Sequence, residues 1–349
     1  MHIACLMFSR GLGGLEQSLL DYCEALRSQG HEVTSFIFPG AAIEEPIIKL
    51  SRNKNFSVER LRNFGQWDLL AIFKLRKKLI KIKPDAIITF GNRAAVLAKH
   101  AAKNIAPIIA RTPNYNVKKI IGFDGILHTT EHLKEHIAAM GHPHEKLFHV
   151  PNMINVPSDF KFKFKKFNKP PVIGTMGRFV EKKGIAEFIK ALAEMKELDL
   201  DFRAIIGGEG EESGNLKNLV KELGLEKKVR FVGWVSDKQK FFDSIDIFCL
   251  PSLHEPFGIV LLEAFLSGKP VVTTNTEGPS EIACHGHDAI IVPKGNVRAM
   301  ADALGDLLQN QKMAETLAIN ALKTLRKRYD TKIVSEKLDN ALKQIVNKK

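Results

Sequence analysis

The run Asp246-Ile247-Phe248-Cys249-Leu250-Pro251-Ser252-Leu253-His254-Glu255-Pro256-Phe257-Gly258-Ile259-Val260-Leu261-Leu262-Glu263 carries an apolar strand through a short loop into a helix. Asp246 to Leu250 reads as a buried strand, Pro251-Ser252 ends it, and the apolar run from Gly258 to Ser267 stops at Gly268 with Pro270 beyond. Glu255 therefore falls in the loop and Glu263 inside the helix. A helix that opens at the carboxyl end of a strand presents unpaired N–H groups and a positive dipole end, which suits a phosphate. Gly258 would let that phosphate approach closely. Two ionised carboxylates beside it accept hydrogen bonds and donate none, as sugar or ribose hydroxyls require. The plainer reading is one acid favoured by the helix dipole and another on a solvated face.

A second segment has the same form. Val172-Ile173-Gly174-Thr175-Met176 is a strand running into Gly177-Arg178, and Glu181-Lys182-Lys183-Gly184 leads into a helix over 185–195. Arg178 and Lys183 are thus two cations at one strand-to-helix turn. A guanidinium grips phosphate oxygens through two hydrogen bonds, and an ammonium acts as a point charge. Either alone reads as a surface cation, the pair less so.

The alternation extends along the chain. Strands over 3–8, 32–38, 86–90, 108–111, 125–128 and 147–150 are separated by helices over 15–28, 68–81, 93–102 and 131–140. After a break come strands over 172–176, 202–206, 229–232, 245–250, 271–274 and 289–292, and helical runs over 297–308, 312–328 and 332–346. Strands separated by helices of this length form parallel sheets with right-handed crossovers, and 349 residues are more than a typical single domain. The expected class is α/β, with a first domain over 1–156 and a second over 171–330. Residues 157–170, where Phe160, Phe162, Phe164 and Phe167 stand among lysines, read as a linker, and 331–349 as a terminal helix.

Six motifs follow one another in the order of a known family: Gly13-Gly14-Leu15-Glu16, Val150-Pro151-Asn152, Gly177 to Gly184, Gly207-Gly208-Glu209-Gly210, Glu255 to Glu263, and Gly278-Pro279-Ser280-Glu281-Ile282. In these residues the chain resembles the retaining GT-B glycosyltransferases of family 4. The resemblance implies two doubly wound Rossmann-like domains with a cleft between them, the first for the acceptor and the second for a nucleotide sugar. It also implies a last helix packed back on the first domain. Arg178 and Lys183 would hold the donor diphosphate, Glu263 the ribose hydroxyls and Glu255 the donor sugar, with Phe257, Gly258 and Ile259 offering backbone N–H groups. Gly13, Gly14, Gly208 and Glu281 are further donor-side candidates. Many relatives carry a histidine after the fourth or fifth strand, where 111–116 read Arg-Thr-Pro-Asn-Tyr-Asn here. Arg111 and Asn114 stand as candidates on the acceptor side.

The implied reaction moves a hexose-type sugar from a nucleotide-diphosphate donor, with retention, to a hydroxyl of a lipid-linked or envelope saccharide of the lipopolysaccharide kind. No metal or other cofactor is expected. Arg178, Lys183 and the helix terminus can stabilise the leaving diphosphate, and no Asp-x-Asp triplet falls at a strand end.

Composition bounds the partners. No stretch approaches the roughly 20 apolar residues of a membrane span, and the apolar start over 2–8 runs into a glycine turn like a first strand rather than a signal peptide. Cys5, Cys23, Cys249 and Cys284 show neither a CxxC nor a metal spacing, which fits reduced thiols in the cytoplasm. Of the net charge of +13, residues 1–170 hold 26 Lys+Arg against 14 Asp+Glu, or +12, and residues 171–349 hold 26 against 25, or +1. An acidic partner for the first half follows. In the helix over 68–83, at about 100° per residue, Lys74, Lys77, Lys78 and Lys81 fall on one side and Leu69, Ile72, Phe73, Leu79 and Ile80 on the other. It reads either as a core helix with a solvated lysine face or as a helix lying on an anionic surface, the cytoplasmic face of the inner membrane.

Other classes fit less well. A dinucleotide-dependent oxidoreductase needs a third glycine where Glu16 stands and an acid where the second strand ends in Phe36-Ile37-Phe38. Nucleic acid is not expected as a partner, because no recognition motif for it is present. Hydrolysis, phosphorolysis or epimerisation on the same fold would show no transfer to an acceptor. The histidines at 128, 132, 136, 142 and 144 read as surface residues.

Overall fold

The computed structural model describes residues 1–348 except Leu12, Asn53, Lys54, Pro113, Lys161 and Lys163. The chain divides into two compact units, Met1–Asn155 with Tyr329–Lys349, and Val156–Arg328. In the first, strands β1 (His2–Met7), β2 (Glu32–Ile37), β3 (Phe56–Arg60), β4 (Ala86–Phe90), β5 (Ile108–Arg111), β6 (Gly125–His128) and β7 (Leu147–His149) alternate with helices α1 (Gly14–Ser28), α2 (Glu44–Ser51), α3 (Leu69–Ile82), α4 (Asn92–Ala101) and α5 (Glu131–Ala139). The strands pair in parallel in the order β3-β2-β1-β4-β5-β6-β7.

The second unit holds β8 (Val172–Met176), β9 (Arg203–Gly207), β10 (Val229–Phe231), β11 (Ile247–Leu250), β12 (Val271–Thr274) and β13 (Ile290–Val292). Its helices are α6 (Ile185–Glu197), α7 (Ser213–Glu222), α8 (Lys238–Asp243), α9 (Ile259–Leu266), α10 (Glu277–Ile282), α11 (Val297–Gln309) and α12 (Gln311–Arg328). The sheet order is β10-β9-β8-β11-β12-β13, again parallel. In both sheets the order reverses beside the first strand, between β1 and β4 and between β8 and β11. Such a reversal opens a crevice at the carboxyl ends of those strands, where doubly wound folds bind ligands.

The last helix, α13 (Thr331–Asn347), belongs to the first unit: Val334, Leu338, Leu342 and Ile345 join the core formed with Leu19, Cys23 and Leu26. The stretch read as a linker packs on the second unit. Phe167 is buried in its core with Phe164 against it, and Asn168 donates from its backbone and side-chain amides to the Asp246 carboxylate. Lys161 and Lys163 of that stretch lie outside the described residues.

Two expectations change. The face of α3 toward the core is Ala71, Leu75 and Leu79, whereas Leu69, Phe73 and Ile80 are 78, 68 and 52% exposed. The alanines Ala94, Ala98 and Ala101 of α4 let α3 approach on this narrow stripe, and Arg76 at its edge donates to the carbonyls of Ala101 and Lys103. Lys78 turns to Glu59 on β3, so Lys74, Lys77 and Lys81 share the exposed face with the apolar side chains.

His128 and His142 are buried rather than superficial. His128, 1% exposed, ends β6 and stacks on His149 with ring centroids 5.3 Å apart. Burial, reinforced by the His149 charge, lowers its pKa to about 4. The unfolded chain then binds a proton near pH 6.5 that the folded chain refuses until about pH 4, so stability is lost as pH falls through that window, by up to about 3 kcal/mol. Urea denaturation at pH 7 and pH 4.5 should show this loss in wild type and a shallower one in His128→Gln; equal slopes would refute it.

Candidate functional site

Three loops meet at the carboxyl ends of β8, β9 and β11. The turn after β8 is tied to the loop after β9 by the Gly177 N–H to the Gly207 carbonyl (3.0 Å) and the Phe179 N–H to the Glu209 carbonyl (2.8 Å). It is tied to the loop after β11 by the N–H groups of Leu253 and His254, both donating to the Lys182 carbonyl. This closeness explains two glycines. Gly184 has φ +64° and Gly208 φ +136°, and a Cβ would strike the Pro251 carbonyl oxygen at the first and that of Gly177 at the second. Gly208 spends its own N–H on Gly233, so what it offers a ligand is close approach rather than a donor.

The loops bring Lys183 and Glu255 together. Lys183 Nζ lies 2.5 Å from Glu255 Oε2, and the Ser252 hydroxyl donates to the same oxygen at 3.3 Å. Glu255 is buried and Lys183 half-buried, so the ammonium offsets much of the cost of removing the carboxylate from water. Arg178 is exposed on the same turn. After Glu255, Phe257 is buried and Gly258, with φ +91°, starts α9, which no side chain caps. The Leu261 N–H donates to the Gly258 carbonyl at 2.9 Å, which leaves the first-turn N–H groups of Ile259 and Val260 to an anion.

Glu263 lies one turn into α9, 2.5 Å from Lys238 Nζ on α8. Sequence reading missed Lys238, which sits on a six-residue helix without a motif of its own. It missed Trp234 as well, whose indole is 64% exposed on the same connection and whose backbone N–H donates to Glu209 Oε1 at 3.3 Å. α10 is held to the site by its first turn: the Gly278 N–H donates to the Glu255 carbonyl, and Glu277 contacts His254 Nδ1 at 3.2 Å. Burial pushes the Glu277 carboxyl up, but a backbone N–H and His254 outweigh it and keep the group below the ordinary carboxylate range. Glu281 stands one turn further on, where its backbone carbonyl accepts from Arg328.

In the first unit, Gly13 and Gly14 are exposed at the start of α1, and Glu16 behind them accepts from the Ser9 hydroxyl. Leu12 of that turn lies outside the described residues. Arg111, at the end of β5, is buried and donates from Nη2 to the Asn152 amide oxygen. It lines a pocket with Thr89, Asn92, Thr112, Asn114 and Asn116. Lys74, Lys77 and Lys81 lie on α3, apart from the residues lining this pocket.

Two parallel α/β sheets with helices between their strands are the architecture of the GT-B type, and comparison with known proteins agrees. Residues 12–157 match the family described as Glycosyltransferase Family 4, and residues 158–324 match Glycosyl transferases group 1. The chain belongs to the GT-B glycosyltransferases of family 4. It is similar to the lipopolysaccharide core biosynthesis glycosyltransferase LpsE of Rhizobium meliloti, with 29% identity over 93% of this chain and 94% of that protein. LpsD of the same organism is 26% identical over 93% of each. In fold it is similar to Anabaena HepE in complex with UDP-glucose, at a TM-score of 0.82 and 22% identity over 98% of this chain and 99% of that one.

Proposed function

We propose that this glycosyltransferase moves a hexose from a nucleotide-diphosphate sugar to a hydroxyl of an envelope saccharide, lipid-linked and of the lipopolysaccharide kind, with retention of the anomeric configuration. The observation that carries the reading is the cluster of Lys183, Glu255 and Arg178 beside the uncapped start of α9. Cations and backbone N–H groups gathered there suit an anionic group, and the carboxylate beside them suits hydroxyls attached to it. HepE, a protein of similar fold, was solved with UDP-glucose, and LpsE acts in lipopolysaccharide core biosynthesis.

In this reading Arg178 and Lys183 hold the diphosphate, with Gly208 leaving room for it and the N–H groups of Phe257, Gly258 and Ile259 completing the cradle. Glu263 takes the ribose hydroxyls, for which Lys238 competes in the free protein, and Trp234 offers a flat face to the base. Glu255 takes the sugar hydroxyls. Glu281 is assigned to the donor side, and Arg111 and Asn114 to the acceptor. Leaving-group charge is met by fixed cations, so no metal ion is needed.

Calorimetry with UDP and a transfer assay with UDP-hexoses test the reading. Glu263→Gln should weaken UDP by about 10- to 100-fold, the worth of a charge-assisted hydrogen bond, whereas Glu255→Gln should spare UDP and slow turnover. Transfer should continue in EDTA. Equal losses of UDP affinity in both variants would end the division of roles, and activity restored only by Mg²⁺ or Mn²⁺ would end the metal-free one.

No helix among the described residues is long and apolar enough to cross a membrane. The proposed site of action is the cytoplasmic face of the inner membrane, reached through α3 and the loop before it. Its support is an exposed set of Phe64, Trp67, Leu69, Leu70 and Phe73 interleaved with lysines.

A further inference from the structure

The pocket at the carboxyl ends of β4 and β5 has a volume of about 200 Å³, several times the roughly 30 Å³ of a water molecule. Arg111, on its wall, is only 3% exposed. A guanidinium does not give up its proton in a protein, so a positive charge is buried here. Its hydrogen bond to Asn152 goes to a neutral amide, and its Nε and Nη1 have no partner among the described residues. Among the described residues none that lines the pocket is acidic. The Tyr22 hydroxyl beside the guanidinium cannot supply a full counter-charge, because burial pushes this phenol up to about 12 and leaves it neutral at physiological pH.

The Asp21 carboxylate, which is not among the pocket-lining residues, also acts on the Arg111 charge, but burial outweighs it, and the cost of a buried charge only partly compensated is recovered when an opposite charge arrives. A second feature of the pocket points to the same kind of ligand. Gly91 and Asn92, which also line it, open α4 with no side-chain cap, so the positive end of a ten-residue helix is left unanswered. A cation able to make paired hydrogen bonds and an open helix start, in a pocket without a carboxylate, suit a planar or tetrahedral oxyanion.

We propose that this pocket receives an oxyanion carried by the acceptor saccharide, a carboxylate or a phosphate monoester, and that Arg111 selects acidic acceptors over neutral ones. The inference rests on the reading of the chain as a sugar transferase whose first unit takes the acceptor. It adds the acceptor's chemical class. The basic balance of residues 1–170 would draw such an acceptor in, and Arg111 would fix its register.

The test is calorimetric titration of the whole protein at low ionic strength with glucuronate, glucose 6-phosphate and neutral glucose, in saturating UDP so that the second unit's cations are occupied. One of the acids should bind at least about tenfold more tightly than glucose, as expected for a charge-assisted bond, and which one does so names the anion. Arg111→Met should remove that preference. Asn92→Asp should remove it too, by putting a negative charge at the start of α4, where an acid favours the helix and the fold is kept. Acid binding unchanged in both variants would seat the anion elsewhere and overturn the proposal, as would equal binding of glucose and the acids. A parallel titration with UDP alone separates the two readings: failure of UDP to bind overturns the donor assignment, whereas normal UDP binding without acid binding overturns only the pocket.

Discussion

Lys183→Ala is expected to lower sugar transfer by about 10²- to 10³-fold, the loss that follows removal of one preorganised group facing developing negative charge. The same change strands Glu255, whose side chain is 9% exposed and 2.5 Å from the lysine ammonium. Breaking a buried ion pair from one side costs about 3–5 kcal/mol, and the partial exposure of Lys183 places this pair at the lower end. The two losses part company in a double variant. Adding Glu255→Gln to Lys183→Ala removes the stranded charge, so urea stability should largely return while activity stays low. The affinity for free UDP then decides what the lysine does. If Lys183 holds the diphosphate, UDP binding falls in Lys183→Ala and in the double variant alike. Wild-type UDP affinity in both would reduce Lys183 to a counter-ion for Glu255 and remove it from the donor site.

The placement of the four charged residues proposed for the donor was legible because it is local. Glu255 and Glu263 sit either side of a single strand-to-helix junction, and Arg178 and Lys183 sit within another, so turn residues and apolar periodicity suffice to place them. The pairings were not legible. Lys183 and Glu255 are 72 residues apart and meet because β8 pairs with β11 rather than with a strand next to it on both sides, a fact of sheet order that no local pattern carries. Lys238 and Trp234 belong to a short connection, and α8 and α10 have six residues each, below the length at which a helical period declares itself. The edge strand β3, Phe-Ser-Val-Glu-Arg, has one buried residue and reads as loop.

α3 failed differently. Its sequence holds enough apolar residues for two stripes, and periodicity does not say which one packs when the neighbouring helix presents alanines. Arg111 illustrates a further limit: its place after a strand makes it an acceptor-side candidate without telling its depth, and only the surrounding fold buries it. The phenylalanines over 160–167 read as a linker because lysines separate them, yet Phe167 is core. In each case the residue type was visible and its depth was not.

Binding to vesicles that contain anionic lipid should show two components with separate residues behind them. Lys74, Lys77 and Lys81 are exposed on α3, and at roughly 1 kcal/mol for each lysine near an anionic leaflet their reversal to Glu should weaken binding by at least about 100-fold. This component is screened over about 8 Å at physiological salt, so it should fade as salt rises. Lys78 is held by Glu59, and its reversal should matter less. The other component is apolar: Leu69, Leu70 and Phe73 stand on the same exposed face, with Phe64 and Trp67 on the loop before it. Burial of such side chains at the headgroup boundary does not depend on salt. A Leu70→Ser, Phe73→Ser variant should therefore retain low-salt binding in part and lose what wild type keeps at high salt, while the lysine variant does the reverse. UDP affinity should be untouched in both, since neither set belongs to the second unit. Wild type that ignores anionic vesicles at low salt would refute the surface, and binding lost in the lysine variant but unchanged in the serine variant at every salt would refute insertion and leave a purely electrostatic contact.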